Sequence, residues 1–244
     1  MTNKSPTTLK QKTPEINWDF KSVIKELNGL ADPTFQKGVS KFGIDTSNAI
    51  GVNIPQLRNL AKKIKTNQPL SDKLWQSKIH EAKLLAIFIA DRKTFDYDKC
   101  FTWANSLYSW DLTDGFCGII LYDSKIRKKL IIDFSNNDAE YIRRSAFSLI
   151  AYVAAKDKNS IDDELIGYFP IILAHCNDTR NFVIKAINWS IRSIGKRNPS
   201  LNKKAIELCN KIISDSNIKS KWVASSALIE LNYHKKTNKF KFDN

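Results

Sequence analysis

Trp110 and Asp114 stand four residues apart in the stretch Ser109-Trp110-Asp111-Leu112-Thr113-Asp114-Gly115. On a helix turning about 100° per residue, positions i and i+4 are neighbours, so an indole and a carboxylate share one side. Leu112, Phe116 and Ile119 form an apolar face at i, i+4, i+7, nearly opposite to that pair. Asp111 lies on a different side of the same helix, which makes it an internal control for Asp114. Two further helices carry chemistry away from their apolar stripes. In one, Ile184, Ile187, Ile191 and Ile194 form the core stripe, and Lys185, Trp189, Arg192 and Lys196 form a second one. The two stripe centres lie about 150° apart. A Trp among three cations suits a surface that tracks phosphates and touches sugars or bases. The alternative is a Trp buried against a neighbouring helix layer. In the other helix, Ile142, Ala146, Leu149, Ile150 and Val153 face the core, Arg144 points roughly opposite, and Arg143 lies to the side. A cation near a helix N-terminus is opposed by the helix dipole, so Arg144 is either an ordinary solvated arginine or one that faces a phosphate or a carboxylate. If the three helices line one face, the product is a carboxylate between two indoles, rimmed by cations.

The elements that must position these residues are helical throughout. Apolar positions recur at helical spacing over Ile16–Leu30, from Pro33 to Gly43, from Pro55 to Ile64, up to Trp75, and over Ile79–Asp91. They continue over Tyr97–Leu107, Trp110–Tyr122, Lys125–Phe134, Ala139–Ala155, Ile161–Ala174, Thr179–Lys196, Leu201–Ser214 and Ile218–Leu231. No stretch shows the two-residue alternation of a strand, so the fold class is all-α. Ala146, Ala186 and Ala227 recur at intervals of 40 and 41 residues in equivalent helix starts. That period indicates HEAT- or armadillo-like helix pairs stacked into a curved α-solenoid with a concave basic face. The expected division is a disordered tail over residues 1–14, one repeat domain over 15–232, and a basic tail over 233–244.

The 244 residues include 39 Lys and Arg against 25 Asp and Glu, a net charge of +14. Such an excess suggests a polyanionic partner, nucleic acid before an anionic membrane surface. No apolar run approaches the ~18 residues a membrane span needs, and Met1 to Gln11 lacks the apolar region of a signal peptide. A cytoplasmic protein, nucleoid-associated when bound to DNA, is expected. Cys100, Cys117, Cys176 and Cys209 and the three histidines form no metal-ligand spacing, and no phosphate-binding or nucleophile-elbow motif is present. Reduced, buried thiols are expected, and no metal or organic cofactor is implied.

The chain resembles the HEAT-repeat DNA alkylation-repair glycosylases, the AlkD family, from about Phe20 to Leu231. Gly51-Val52-Asn53-Ile54-Pro55-Gln56-Leu57-Arg58 resembles that family's early signature. Trp110-Asp111-Leu112-Thr113-Asp114 matches its WDxxD segment, Arg144-Ser145-Ala146 its RxA helix start, and Lys185 to Arg192 its KAxxWxxR helix. The resemblance implies that Trp110, Asp114, Arg144 and Trp189 are the active-site residues. Lys185, Arg192, Lys196, Arg143 and Arg58 are the accompanying DNA-binding candidates. Ser109 departs from a branch that carries another Trp there, which bears on the edge of the site and the substrate range.

The implied activity is removal of cationic N3- and N7-alkylpurines from double-stranded DNA by a monomeric, monofunctional glycosylase. One carboxylate suffices for it, because an alkylated purine is already charged and leaves without a general acid. Arg144 would hold a phosphate or orient Asp114. The resemblance also implies work on the deoxyribose with the base left in the duplex, and no aromatic base pocket is evident in the sequence. The rival readings are a non-catalytic HEAT-repeat protein that recognises damaged or branched DNA, and a protein-binding helical scaffold.

Overall fold

The computed structural model describes residues 17–218 and 221–242. The tail expected over 1–14 lies outside them. Helices begin with α1 (Phe20–Gly29), α2 (Pro33–Val39, continued by a 3-10 turn Ser40–Phe42), α3 (Ile54–Ile64), α4 (Gln68–Trp75), α5 (His80–Ile89) and α6 (Tyr97–Ala104). The centre holds α7 (Trp110–Gly115), a π-helical turn (Phe116–Leu121), α8 (Arg127–Ser135) and α9 (Glu140–Lys156). The chain closes with α10 (Asp162–Ile166), α11 (Phe169–His175), α12 (Asn181–Gly195), α13 (Pro199–Ser214) and α14 (Trp222–Thr237). Among the described residues there is no strand.

Helices α5, α7, α9, α12 and α14 pack one on the next as a continuous row, with α4, α8 and α13 stacked against it, so the molecule is an α-solenoid. Side-chain N-caps open α1, α2, α3, α4, α6 and α13, from Asp19, Asp32, Asn53, Asn67, Asp96 and Asn198. Each cap satisfies an orphan N–H at the helix start. No side-chain cap opens α7, α9 or α12. These three, which carry the proposed chemistry, are held by neighbours instead: Leu112, Ala146, Leu149, Ile150, Ile187 and Ile191 are all fully buried. None of the described helices is long and apolar enough to cross a membrane. The four cysteines are free and buried.

Three elements differ from the sequence reading. The helix expected over Ile161–Ala174 is broken into α10 and α11, because Pro170 has no N–H to donate and its ring would clash with a preceding carbonyl. The helix expected over Trp110–Tyr122 widens after Gly115 into a π turn. Ile120 rather than Ile119 is therefore buried below Leu112 and Phe116, and Ile119 turns into a cavity. The last helix runs past Leu231 to Thr237 and ends at Asn238 in the left-handed region. Beyond it the Lys241 and Phe242 amides donate to the carbonyls of Lys196 and Arg197, so this basic segment is tied to the end of α12.

Candidate active site

Asp114, on α7, is a carboxylate gripped from the next helix. Arg144 Nη2, from α9, donates to both of its oxygens at 2.9 Å, and the Ser148 hydroxyl donates to Oδ1 at 2.9 Å. Ser148 lies one turn beyond Arg144, so a single face of α9 supplies both donors. Arg144 is itself buried, contrary to its expected place opposite the core, because α9 is packed on both flanks. Its Nη1 donates to the Phe182 carbonyl at 2.7 Å, which ties the start of α12 to the same guanidinium. In the structure Arg144 is committed to Asp114 and the Phe182 carbonyl. Burial pushes the Asp114 carboxyl above its ordinary value, against the opposing pull of Arg144 and Ser148.

Trp110 and Asp114 do share one side of α7, as their spacing predicts. The Trp110 indole N–H donates to the Phe42 carbonyl at 3.0 Å, which fixes the ring against the 3-10 turn after α2. Trp189 is half-buried on α12, and its ring meets Tyr152 of α9 edge-on with centroids 5.0 Å apart. Trp110, Asp114, Arg144, Trp189, Lys185 and Arg192 all line one open cavity of about 400 Å³, joined by Phe42 and Phe182. The four residues implied as active-site groups, from three separate helices, thus converge.

The expected cations divide. Lys185 is exposed at the cavity. Arg192 and Lys196 both pair with Glu230 of α14, so the second stripe is not a row of unpaired charges. Arg143 lines no cavity with the others; it is spent on Asp178 at 2.9 Å, Asp138 and the Asn137 carbonyl. Arg58 is exposed, with its guanidinium 5.9 Å from the Phe88 ring centre.

Sequence reasoning missed the rest of the α9 stripe. Ser148, Tyr152 and Lys156 follow Arg144 at successive steps of four, a signal present in the chain. Tyr152 packs over Gly118 of the π turn, where a Cβ would stand 2.4 Å from the ring, so only glycine fits. Lys156 Nζ donates to the Gly118 carbonyl at 2.7 Å. Burial lowers its ammonium pKa, and the nearby Arg58, Lys241 and Arg92 lower it further, so four cations gather on this side of the molecule.

Asp111 is not the inert control its position suggested. His80 bridges its Oδ2 (2.8 Å from Nε2) and the Tyr108 hydroxyl (3.0 Å from Nδ1). The Ser109 hydroxyl and the Leu112 amide donate to its Oδ1 at 2.6 and 2.9 Å. Burial works to raise this carboxyl, but the partners outweigh it, His80 foremost, and hold it below the usual range. Ser109 therefore ties down the start of α7 from a fully buried position.

An all-helical solenoid in which a carboxylate, a guanidinium and two indoles from three neighbouring helices meet at one cavity has the architecture of a HEAT-like repeat protein. The chain belongs to the DNA alkylation repair enzyme family, which matches residues 23–231. A solved structure described as a new family related to the HEAT-like repeat DNA glycosylases, with affinity for branched DNA structures, superposes with a TM-score of 0.75 at 22% identity. The match covers 93% of this chain and 99% of that one. A designed armadillo repeat protein aligns with a TM-score of 0.40 at 16% identity, over 88% of this chain and 100% of that one. No curated protein matches the chain.

Proposed function

We propose that this protein is a monofunctional DNA glycosylase that hydrolyses the N-glycosidic bond of cationic N3- and N7-alkylpurines in duplex DNA. The observation that carries the reading is the convergence of Trp110, Asp114, Arg144 and Trp189 on one cavity, with the Asp114 carboxylate oriented by Arg144 and Ser148. In the reaction the C1′–N bond breaks and its electron pair passes to the purine, which leaves uncharged. The sugar becomes oxocarbenium-like. Water adds to C1′ and gives up a proton. Asp114 supplies negative charge beside the sugar in a partly water-excluded site, the largest contribution. Trp110 and Trp189 offer π faces to the same cation, worth ~0.5–2 kcal/mol each. Lys185, with Arg58 and Lys156 on the far side, meets backbone phosphates.

The direct experiment is incubation with duplex containing N7-methylguanine. Released base and an intact abasic strand are expected; DNA binding without release overturns the reading. Binding should weaken steeply with salt. Lys185→Ala should flatten that slope by about one unit. Arg192→Ala should do less, because Glu230 already holds Arg192. Electrophoretic titrations at several salt concentrations check both.

One observation favours a second reading, a non-catalytic protein that recognises damaged or branched DNA: the superposable structure is described as having affinity for branched DNA. Presence of the full Asp114, Trp110 and Trp189 set favours the enzyme.

A further inference from the structure

Trp189 borders two cavities. One is the cavity of Asp114 and Arg144; the other, of about 490 Å³, lies at the end of α12. Ser193 and Lys196 of α12 line this second cavity, and so do Lys239, Phe240 and Lys241 from the chain beyond α14.

The segment beyond α14 is fastened at several points. Asn238 takes the left-handed conformation that ends the helix. His234 Nδ1 donates to the Lys239 carbonyl. The Lys241 and Phe242 amides donate to the Lys196 and Arg197 carbonyls at 3.0 and 2.9 Å. The Phe242 ring centre lies 4.6 Å from the Arg197 guanidinium. The two carbonyls belong to the negative end of α12, and pairing them offsets part of its repulsion of an anion.

The charge at the cavity is one-sided. Lys239 and Lys241 are exposed and form no ion pair among the described residues. Lys196 lines the cavity too, although Glu230 holds it. No carboxylate lines the cavity. Lys241 is close enough to Lys156 to lower its ammonium pKa, so the cations of the α9 stripe continue onto this segment. Ser193 is 5% exposed, and its hydroxyl has no hydrogen-bond partner among the described residues. A group so nearly buried is ordinarily paired. Here the cavity it lines is where an acceptor would stand.

We propose that this cavity holds a backbone phosphate of bound DNA, with Ser193 donating to a phosphate oxygen and Lys239 and Lys241 supplying the charge. The inference rests on the DNA-binding half of the reading above and gives it a second point of grip. Ser193 and Lys196 stand four and seven residues beyond Trp189. That is roughly 6 and 10 Å along the helix axis, or about two to three steps of 3.4 Å along one strand. A strand whose sugar meets Trp189 on the Asp114 side therefore has a nearby phosphate within reach of this cavity. Such a contact holds the duplex by its backbone and leaves the bases in place.

The test compares Lys239→Ala/Lys241→Ala and Ser193→Ala with Lys235→Ala/Lys236→Ala, a control that removes the same charge from exposed positions of α14 outside the cavity. The readout is electrophoretic titration of undamaged duplex at several salt concentrations. The Lys241 tie to α12 runs through its amide, so alanine keeps it. Lys239→Ala/Lys241→Ala should bind on the order of tenfold more weakly and flatten the salt slope by about one unit or more. Ser193→Ala should bind several-fold more weakly with the slope unchanged, because no charge is lost. The control should stay within about twofold of wild type. Equal losses for the two double variants, or wild-type binding by Ser193→Ala, overturn the inference. Should Lys239→Ala/Lys241→Ala lose helix by circular dichroism, Ser193→Ala decides alone. Melting with inorganic phosphate at constant ionic strength separates the sources of the anion. Stabilisation of wild type but not of Lys239→Ala/Lys241→Ala, with equal duplex binding by the two, would assign the cavity to free phosphate and end the DNA assignment. Base release from N7-methylguanine duplex is read separately. Release by wild type with duplex affinity unchanged in the variants sinks the phosphate site and leaves the glycosylase. Weaker binding by the variants without release by wild type does the reverse.

Discussion

Asp111 and Asp114 are the same residue type, three positions apart on one short helix, and the molecule treats them in opposite ways. Asp111 turns toward α5 and is closed into a network with His80, Ser109 and the Leu112 amide, which holds its carboxyl low. Asp114 turns toward α9 and the cavities, and burial raises its carboxyl despite Arg144. Two titratable groups whose surroundings push them apart mark a division of labour. Asp111 fastens the start of an uncapped helix, and the proposed function makes Asp114 the charge at the edge of a cavity. Three residues of sequence do not separate these roles; the neighbouring helices do.

The sharpest way to break the comparison is Asp114→Asn. The amide keeps the size and can still accept from Arg144, but the negative charge is gone. Single-turnover release of 7-methylguanine should fall on the order of 10²-fold or more, with duplex affinity retained. A wild-type rate would remove Asp114 from the mechanism and leave the two carboxylates equivalent.

Asp111→Asn should act through stability. The substitution weakens contacts to His80 and Ser109 in a nearly closed site, at a cost of about 1–3 kcal/mol. A lower urea midpoint is expected, with a base-release rate close to wild type wherever the variant remains folded. A large drop in rate at full folding would make Asp111 part of the chemistry.

Periodicity made the helices legible, and with them the pairing of Trp110 with Asp114 and the separation of Trp189 from the Ile187–Ile191–Ile194 stripe. Those features depend on residues within two turns of each other. What escaped depends on contacts between distant segments. Arg144 is buried because α7 and α12 close on it, which its own helix cannot reveal. Glu230 reaches Arg192 and Lys196 from α14 and changes the meaning of the α12 stripe. The π turn follows from a local change of pitch in a run that reads as ordinary helix, and it moves Ile119 from core to cavity. The loop between α2 and α3 is held by Glu81 some thirty residues later, a link with no period to read.

The smallest expected effect is the most discriminating, because the two carboxylates should carry opposite signs in the pH dependence of stability. An ordinary Asp titrates near 3.8. Asp111 lies below that in the folded protein, so its contribution is present above 3.8 and is lost as pH falls through its lower folded value. Asp114 lies above it, so between 3.8 and its folded value the native state holds a proton that the unfolded chain has released. Stability from that group therefore declines as pH rises through this window. Urea unfolding across the acid range should show Asp111→Asn flattening the loss below 3.8 and Asp114→Asn flattening the decline above it. Base release by wild type should follow the Asp114 window, falling on acidification at a pH above that of an ordinary Asp. If both variants alter the same limb, the two carboxylates are not pushed apart, and the assignment of anchor and charge along α7 fails.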